Sequence, residues 1–404
     1  MPISRNLLLI YAAAFLRSLG VGLTGVILGI YLSRAGFSAA YIGVVIASGL
    51  AGVAVATLIV TLHSDRLGRR RTLVGLSLLA ALGGLGLALA SGLSGILLLS
   101  FLGMLNGMGR DRGAASVLEQ AIIPETSAAE RRTWALAWYN LVLDAGHALG
   151  ALAGAVPFLL RHWLEVDLLA SYQLAFGLYA GLNLASAVIY LFLSSQIEVA
   201  RAAPGLAAAG RKLSPKSKKI VAKLAALSGL DSLGGGFLTS ALIAYWFFRR
   251  FGVAEETLGL LFFTVRLANS GSYLVAAWLA RRIGLLNTMV FTHIPSSLFL
   301  VALPFAPSFP WAVGLFLARE CLVEMDVPTR QSYILAVVEP TERTFASGIT
   351  NLTRNVAWAT APSFAGYFMQ LALAAPLFLG GGIKIVYDLL LFTAFRRLKP
   401  PEER

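Results

Sequence analysis

Apolar residues along the chain form long runs that are separated by short polar segments. Each run is about 20 residues or more, the length that a helix needs to cross the hydrocarbon core of a bilayer. A segment in that core must satisfy its own backbone hydrogen bonds, which favours helices. The sequence therefore predicts an all-α polytopic membrane protein with twelve transmembrane helices. The predicted spans are residues 7–33, 40–64, 72–92, 94–123, 133–160, 168–196, 219–250, 256–281, 286–306, 309–338, 344–371 and 374–396.

The longest polar stretch, residues 197–218, divides the twelve predicted spans into two sets of six. Its prolines, glycines and basic residues are typical of a linker. We therefore predict a first six-helix bundle over residues 1–196, a cytoplasmic linker, and a second bundle over residues 219–404. The two bundles also repeat one another, because Leu16–Gly20 aligns with Leu230–Gly234, Tyr31 with Tyr245, Gly68 with Gly284 and Pro124 with Pro340. Such repeats are typical of transporters with a binding site near the bilayer midplane.

Composition agrees with a membrane location. The chain is 57% hydrophobic and 13% charged, whereas soluble domains are about 25% charged. The net charge of +13 comes mostly from basic residues in alternate loops, and the other loops contain only Arg34, Arg161, Arg249 and Arg250. The positive-inside rule then predicts that both termini are cytoplasmic. We expect the protein to lie in the plasma (inner) membrane. Topology and contact with anionic lipid explain the charge better than nucleic-acid binding does.

Full charges lie deep within several predicted spans, where an ionised side chain is costly and indicates function. Arg17 and Asp231 occupy matching positions of the two halves and have opposite signs. Asp326 and Arg330 are four residues apart, which puts them on one helix face. The charges predicted for the first, fourth, seventh and tenth spans are Arg17, Arg110, Arg112, Arg330, Asp111, Asp231, Glu324 and Asp326. Ion pairs that only fix the packing of the helices would explain the same pattern.

The loop after the second span, residues 61–71, reads TLHSDRLGRRR. Together with the twelve spans, the linker and the repeat, it resembles the major facilitator superfamily over the whole chain. The family's loop pattern of acid, base, any residue, glycine and two bases is matched by Asp65, Arg66, Gly68, Arg69 and Arg70. The resemblance implies that these residues form a cytoplasmic gate, in which the acid latches the two halves together in the outward-open state. Arg343 is the expected partner of that acid.

The resemblance also implies the family's fold of two pseudosymmetric six-helix bundles, a monomer, and a central cavity lined by spans one, four, seven and ten. Gly146, Gly150 and Gly154 recur at every fourth position of the fifth span. This spacing allows close helix packing and resembles the antiporter motif of drug-exporting members. The substrate-binding residues are predicted to be Arg17, Arg110, Arg112, Arg266, Arg330, Tyr245 and Tyr333. The proton-coupling residues are predicted to be Asp231, Asp326, Glu324 and Asp111.

The sequence contains no phosphate-binding loop and no cluster of metal ligands, and its four histidines are scattered. We therefore expect no enzyme activity, no cofactor and no metal, and a transport cycle driven by an ion gradient. Arginine binds carboxylate and phosphate groups well, so an anionic substrate is favoured. The first hypothesis is a proton-coupled antiporter that exports a small organic compound. The alternative is a symporter or exchanger that takes up a small organic or phosphorylated anion, and a lipid transporter stays open.

Overall fold

A computed structural model of the chain describes residues 4–90, 92–111, 113–126, 132–198, 215–326, 329–330, 333 and 343–396. This described part is helical, with short connections and no β-strand. The helices are α1 (Arg5–Arg34), α2 (Ala39–Leu67), α3 (Arg69–Leu89), α4 (Leu93–Leu102), α5 (Ala114–Glu125), α6 (Arg132–Leu152), α7 (Val156–Leu164), α8 (Leu168–Leu191), α9 (Pro215–Gly236), α10 (Ser240–Phe251), α11 (Glu255–Ile283), α12 (Leu285–Ala302), α13 (Phe309–Val323), α14 (Arg343–Leu371) and α15 (Ala375–Phe395).

Nine helical segments of the described chain are long and apolar enough to cross a membrane. They coincide with the predicted first to third, fifth to ninth and twelfth spans, which confirms a polytopic membrane protein. The predicted fourth span corresponds to α4 and α5, the tenth begins as α13, and the eleventh corresponds to α14.

The fourth span is not the continuous helix predicted over residues 94–123. The helix stops after Leu102 and resumes at Ala114. The segment between them is rich in glycine, which has a poor helix propensity. Met104 and Gly109 have left-handed backbone conformations, with φ angles of 52° and 67°. These two residues turn the chain out of the helical path.

The side chain of Asn106 organises this break. Its amide nitrogen donates to the carbonyl of Arg110 at 2.6 Å, and its carbonyl oxygen accepts from the backbone nitrogen of Met108 at 2.8 Å. The hydroxyl of Thr24 in α1 donates to the backbone carbonyl oxygen of Asn106 at 3.2 Å. Irregular backbone is tolerated at membrane depth where protein surrounds it. The break is therefore an ordered loop that is fastened to α1.

The helices group into two compact units. Unit 1 contains α1 to α8, α10, and α11 as far as Phe263. Unit 2 contains α9, the rest of α11 from Thr264, and α12 to α15.

Helix α1 is the centre of unit 1, where it packs against α6, α8 and α10. Every residue from Gly20 to Leu32 is buried. A side chain added at Gly150 of α6 would lie 2.0 Å from the carbonyl oxygen of Leu19, and one added at Gly146 would lie 2.0 Å from the Ser18 hydroxyl. These glycines of the fifth span thus allow α6 to lie directly on α1.

In unit 2, α9 packs against α14 and α15, and α12 packs against α13 and α15. The apolar core between these helices consists of Leu224, Leu286, Met289, Val290, Tyr333, Tyr387, Leu391 and Phe395. Helix α15 also carries Lys384 and Asp388 into the interior, where both are buried. Charged groups in such a setting must find partners within the unit.

Candidate functional site

Each unit contains a buried cluster of charged side chains. The unit 1 cluster is formed by Arg17, Asp111, Glu119, Tyr139 and Tyr190. The unit 2 cluster is formed by Asp231, His293, Asp326, Arg330, Lys384 and Asp388.

Arg17 of α1 is the hub of the unit 1 cluster. Its Nε donates to Asp111 Oδ2 at 2.5 Å, and its two terminal nitrogens donate to the two oxygens of Glu119 at 3.1 and 2.6 Å. The planar guanidinium presents its donors in a rigid fork that suits this arrangement. One arginine therefore binds two carboxylates, one from the break in the fourth span and one from α5.

Glu119 is enclosed by donors on both oxygens. In addition to Arg17, the hydroxyl of Tyr139 donates to Oε2 at 2.8 Å and the hydroxyl of Tyr190 donates to Oε1 at 2.5 Å. Glu119 is 0% exposed, and each oxygen already accepts two hydrogen bonds. Its surroundings therefore leave no position for a further ligand.

Asp231 of α9 is the hub of the unit 2 cluster and is 5% exposed. Its Oδ1 accepts from Lys384 Nζ at 2.8 Å, and its Oδ2 accepts from Arg330 at 2.8 Å. A guanidinium nitrogen of Arg354 lies 4.0 Å away. Arg330 donates at the same time to Asp326 at 2.6 Å. The sequence prediction that Asp326 and Arg330 share a helix face agrees with this contact.

A histidine extends the unit 2 cluster towards α12. Lys384 Nζ lies 3.2 Å from His293 Nε2, and His293 Nδ1 lies 3.0 Å from both oxygens of Asp388. An ammonium group has donors only, so Nε2 accepts and Nδ1 donates. A chain of polar contacts thus runs from Asp231 through Lys384 and His293 to Asp388.

His293 was not predicted as a site residue, because the histidines are isolated in the sequence. The available signal was the spacing of Lys384 and Asp388, which lie one helical turn apart in an otherwise apolar span. Two opposite charges at that spacing indicate a polar face, and a histidine on a neighbouring span is a candidate partner for it.

The remaining predicted cavity residues lie outside the two clusters. Tyr245 is buried in α10 of unit 1, and Arg266 is buried in α11 of unit 2. Tyr333 belongs to the apolar core of unit 2, with its ring centroid 5.9 Å from that of Phe395. Glu324 accepts from the hydroxyl of Tyr273 at 3.4 Å.

Two further predicted residues lie at the break in the fourth span. Arg110 is partly buried, and its carbonyl is held by Asn106. Arg112 lies outside the described residues.

The predicted gate loop joins α2 to α3 at Gly68, whose φ of 91° is readily accessible only to glycine. Asp65 pairs with Arg69 at 3.0 Å, one turn further along the chain. Arg66 and Arg70 are exposed. The side chain of Arg343, the predicted partner of Asp65, lies outside the described residues.

Glu198 is a feature of this loop that the sequence did not reveal. Its carboxylate accepts from the backbone nitrogens of Arg69 at 2.6 Å and Arg70 at 3.1 Å. These nitrogens open α3, and a helix N-terminus attracts an anion. Glu198 therefore fastens the chain that follows α8 to the start of α3.

The pairing within the clusters limits what they can bind. In the described chain, Arg17, Arg330 and Lys384 each contact at least one carboxylate. An anionic ligand therefore competes with at least one carboxylate for each of these cations. Protonation is the simplest way to weaken a carboxylate's hold on its partner.

Comparisons with known proteins agree with this architecture. The sequence model of a family described as Major Facilitator Superfamily matches residues 10–229 and again residues 224–404. A relative from Saccharomyces cerevisiae, described as "Uncharacterized membrane protein YJR124C", is 28% identical over 422 residues, which cover 97% of this chain and 94% of that protein. A crystal structure of the nucleoside transporter NupG has a TM-score of 0.76 at 13% identity and covers 96% of this chain and 99% of its own. A crystal structure of the peptide transporter POT in complex with sulfate has a TM-score of 0.75 at 14% identity. The match covers 97% of this chain and 94% of the POT chain.

Proposed function

Since the chain belongs to the Major Facilitator Superfamily, it is a membrane transporter of small organic compounds rather than an enzyme, and we propose that it carries an organic anion together with a proton. The unit 2 cluster is the proposed binding site. The similar solved structures are named for a nucleoside and for a peptide, so the shared fold does not select the substrate. The proposal depends instead on the contacts of Asp231.

The observation that carries the proposal is the position of Asp231 between two cations, with 2.8 Å to Lys384 Nζ and 2.8 Å to an Arg330 nitrogen. A carboxylate or phosphate group of a substrate would use the same two donors. A proton on Asp231 would remove its negative charge and weaken its hold on both. The substrate anion would then restore the charge balance of the cluster.

This geometry favours the alternative in which proton and anion move in the same direction. In an antiporter the proton and the substrate compete for the same site. A cationic substrate would compete in this way, because it would pair with the carboxylate that the proton neutralises. An anion that replaces a protonated carboxylate binds together with the proton. The sequence-based preference for efflux by antiport therefore becomes the second candidate, and symport becomes the first.

The two cations beside Asp231 keep other hydrogen-bond partners when Asp231 is protonated. Arg330 keeps its contact with Asp326 at 2.6 Å. Lys384 keeps its contact with His293, which is itself held by Asp388. Neither cation is left without a partner when Asp231 becomes neutral, so both stay in position for the substrate.

The test uses purified protein in lightly buffered proteoliposomes with a pH-sensitive dye inside. Organic anions are added outside one at a time, and an anion that the protein transports should acidify the lumen as it enters. Asp231→Asn should still bind and exchange the anion but move no protons, because the amide resembles the protonated acid and cannot titrate. Asp167→Asn makes the same chemical change at an exposed residue before α8 and should behave as the unchanged protein.

Other outcomes would reject the proposal. A lumen that becomes alkaline when the anion enters would establish antiport. Anion uptake without any proton movement would establish uniport or exchange. Full proton movement in Asp231→Asn would exclude this carboxylate as the proton site.

Location and assembly are part of the same proposal. We propose a monomer in the plasma (inner) membrane with both termini in the cytoplasm. The basic residues of alternate loops support the orientation of the termini. The loop over residues 61–71 would lie on that side. Its Asp65 is proposed to exchange its contact with Arg69 for one with Arg343 during the transport cycle.

A further inference from the structure

Unit 1 contains a cavity of about 50 Å³ beside the unit 1 cluster. Its polar lining consists of Arg17, Ser77, Asn106, Asp111, Tyr179 and Asn183. Sites for organic ligands are about 300–1,000 Å³, so this cavity is too small for a transported organic compound. It has room for a small ion or a few water molecules.

Two residues of the cavity lining each have a polar side-chain atom without a partner among the described residues. These atoms are the hydroxyl oxygen of Ser77, in α3, and the side-chain oxygen of Asn183, in α8. Ser77 is 1% exposed and Asn183 is 0% exposed. Buried oxygen atoms are rarely left unpaired, because they lose their hydration without replacement. These two unpaired oxygens therefore indicate that the cavity holds a polar ligand.

The charges of the unit 1 cluster indicate the sign of that occupant. In the described chain, Arg17 is the single cation that forms an ion pair with Asp111 and Glu119. His147 Nε2 accepts a hydrogen bond from the backbone nitrogen of Asp111 at 2.8 Å. An accepting ring nitrogen carries no proton, so this imidazole is neutral and adds no positive charge. Among the described members of the unit 1 cluster, one guanidinium and two carboxylates leave a net charge of about −1, which is costly in a buried site without compensation.

Asp111 is the member of the cluster that can hold the occupant. Glu119 is saturated by its four donors, whereas Asp111 belongs to the cavity lining. Among the described residues, the backbone nitrogen of Gly113 is the one donor to Asp111 Oδ1, at 3.1 Å. The carboxylate of Asp111 and the unpaired oxygens of Ser77 and Asn183 belong to residues that line the same cavity, and oxygen atoms are the hard ligands that small cations prefer.

We propose that this cavity binds one small monovalent cation, a sodium ion, through Asp111, Asn183 and Ser77. One positive charge neutralises the cluster, whereas a divalent ion would reverse its sign. A hydronium ion has the same charge and is also small, so it is the competing occupant of the cavity. The site lies in unit 1, so it does not depend on the organic anion proposed for unit 2.

The test measures binding of radioactive sodium to the purified full-length protein in detergent, with choline chloride to keep the ionic strength constant. The unchanged protein should bind sodium saturably. Ser77→Ala and Asn183→Ala each remove one oxygen and should weaken binding about tenfold, as losses around metal sites commonly do. Asp111→Asn should abolish binding, but the two alanine variants decide the test if that protein does not fold.

Ser100→Ala is the matched control. The Ser100 hydroxyl is also buried and unpaired within the described chain, but it does not belong to the cavity lining. Its sodium affinity should be unchanged. An equal loss of affinity in Ser100→Ala would overturn the assignment of the site.

The thermal stability of the same proteins separates the two cations. Stabilisation by sodium at constant pH, reduced in Ser77→Ala and Asn183→Ala, is the expected result, because a ligand of the folded state raises its stability. Absence of saturable sodium binding overturns the proposal. In that case, acid-dependent stabilisation that needs Ser77 and Asn183 would assign the cavity to hydronium. Neither result depends on whether an organic anion is transported.

Discussion

Arg17 and Asp231 occupy matching positions of the sequence repeat, and each is shared between two groups of opposite charge. Arg17 holds the carboxylates of Asp111 and Glu119, whereas Asp231 lies between two cations. This inversion of sign is the reason why we propose an anion for the unit 2 cluster and a cation for the unit 1 cluster. The unit 2 cluster therefore places two cations around one carboxylate, whereas the unit 1 cluster places two carboxylates around one cation.

The dependence of unit 1 on its arginine leads to a prediction for Arg17→Gln. This change leaves two buried carboxylates without their cation, which costs about 3–5 kcal/mol in comparable buried pairs. We expect a large fall in thermal stability, measured by heating the protein and recording the folded fraction by size-exclusion chromatography. Arg71→Gln removes the same group from an exposed position and should change stability little. Unfolding of both variants at the same temperature would contradict this account.

The sequence revealed which residues carry buried charge but not which of them meet. Arg17, Asp231, Asp326 and Arg330 could be recognised because an ionised group is conspicuous in an apolar run. The contact between Asp231 and Lys384 could not, because the two residues are 153 positions apart and only the packing of α9 on α15 brings them together. The same holds for the histidine that joins α12 to this chain of contacts.

At the scale of the helices, the length of the hydrophobic runs was sufficient to predict most of the membrane-spanning helices, because the bilayer sets the length of a span. It was insufficient for the fourth span. Glycine content alone does not explain the failure, since α1 contains Gly20, Gly22, Gly25 and Gly29 and stays helical. The break depends on tertiary contacts, including the side-chain bonds of Asn106 and the contact with α1, which local propensity does not report.

Close packing of α6 on α1 can be tested with one methyl group. A Cβ atom at Gly150 would lie 2.0 Å from a backbone carbonyl oxygen of α1, so the helices would have to separate. We expect Gly150→Ala to lower stability by about 1–3 kcal/mol, the usual range for overpacking.

Gly177→Ala provides the comparison, because the added methyl would have no neighbour within 4 Å. That variant should be neutral or slightly more stable, since alanine favours helix by up to about 1 kcal/mol over glycine. Equal thermal stability of the two alanine variants would show that the α1–α6 contact is looser than described.

At the scale of the whole molecule, the path of the chain through the units is the notable feature. The chain enters unit 1 again at Thr239, forms α10 and the start of α11, and continues into unit 2 from Thr264. Within unit 1, Ser240 donates to the carbonyl of Met108 at 2.8 Å. The start of the segment over residues 239–263 is thus attached to the break in the fourth span.

An ion pair attaches a later part of this segment to α7. Glu255, at the start of α11, is 1% exposed and pairs with Arg161 of α7. Arg161 also donates to the Ser171 hydroxyl at 3.0 Å. We expect Arg161→Gln to raise amide hydrogen exchange in residues 239–263 in proportion to a loss of about 0.5–3 kcal/mol, the range of coupling between contacting residues. Exchange in α12 and α15 of unit 2 should stay unchanged.

Exchanging the two charges, as Arg161→Glu with Glu255→Arg, separates the ion pair from the packing of either side chain. Each single reversal places two like charges together and should raise exchange in residues 239–263 further than Arg161→Gln does. The double variant restores the opposite charges and should recover much of the protection, because the energies of contacting residues are not additive. A double variant that exchanges as fast as the single ones would mean that packing and not charge attaches the segment. Recovery of protection would identify this pair as the contact that any movement of the segment away from α7 must break.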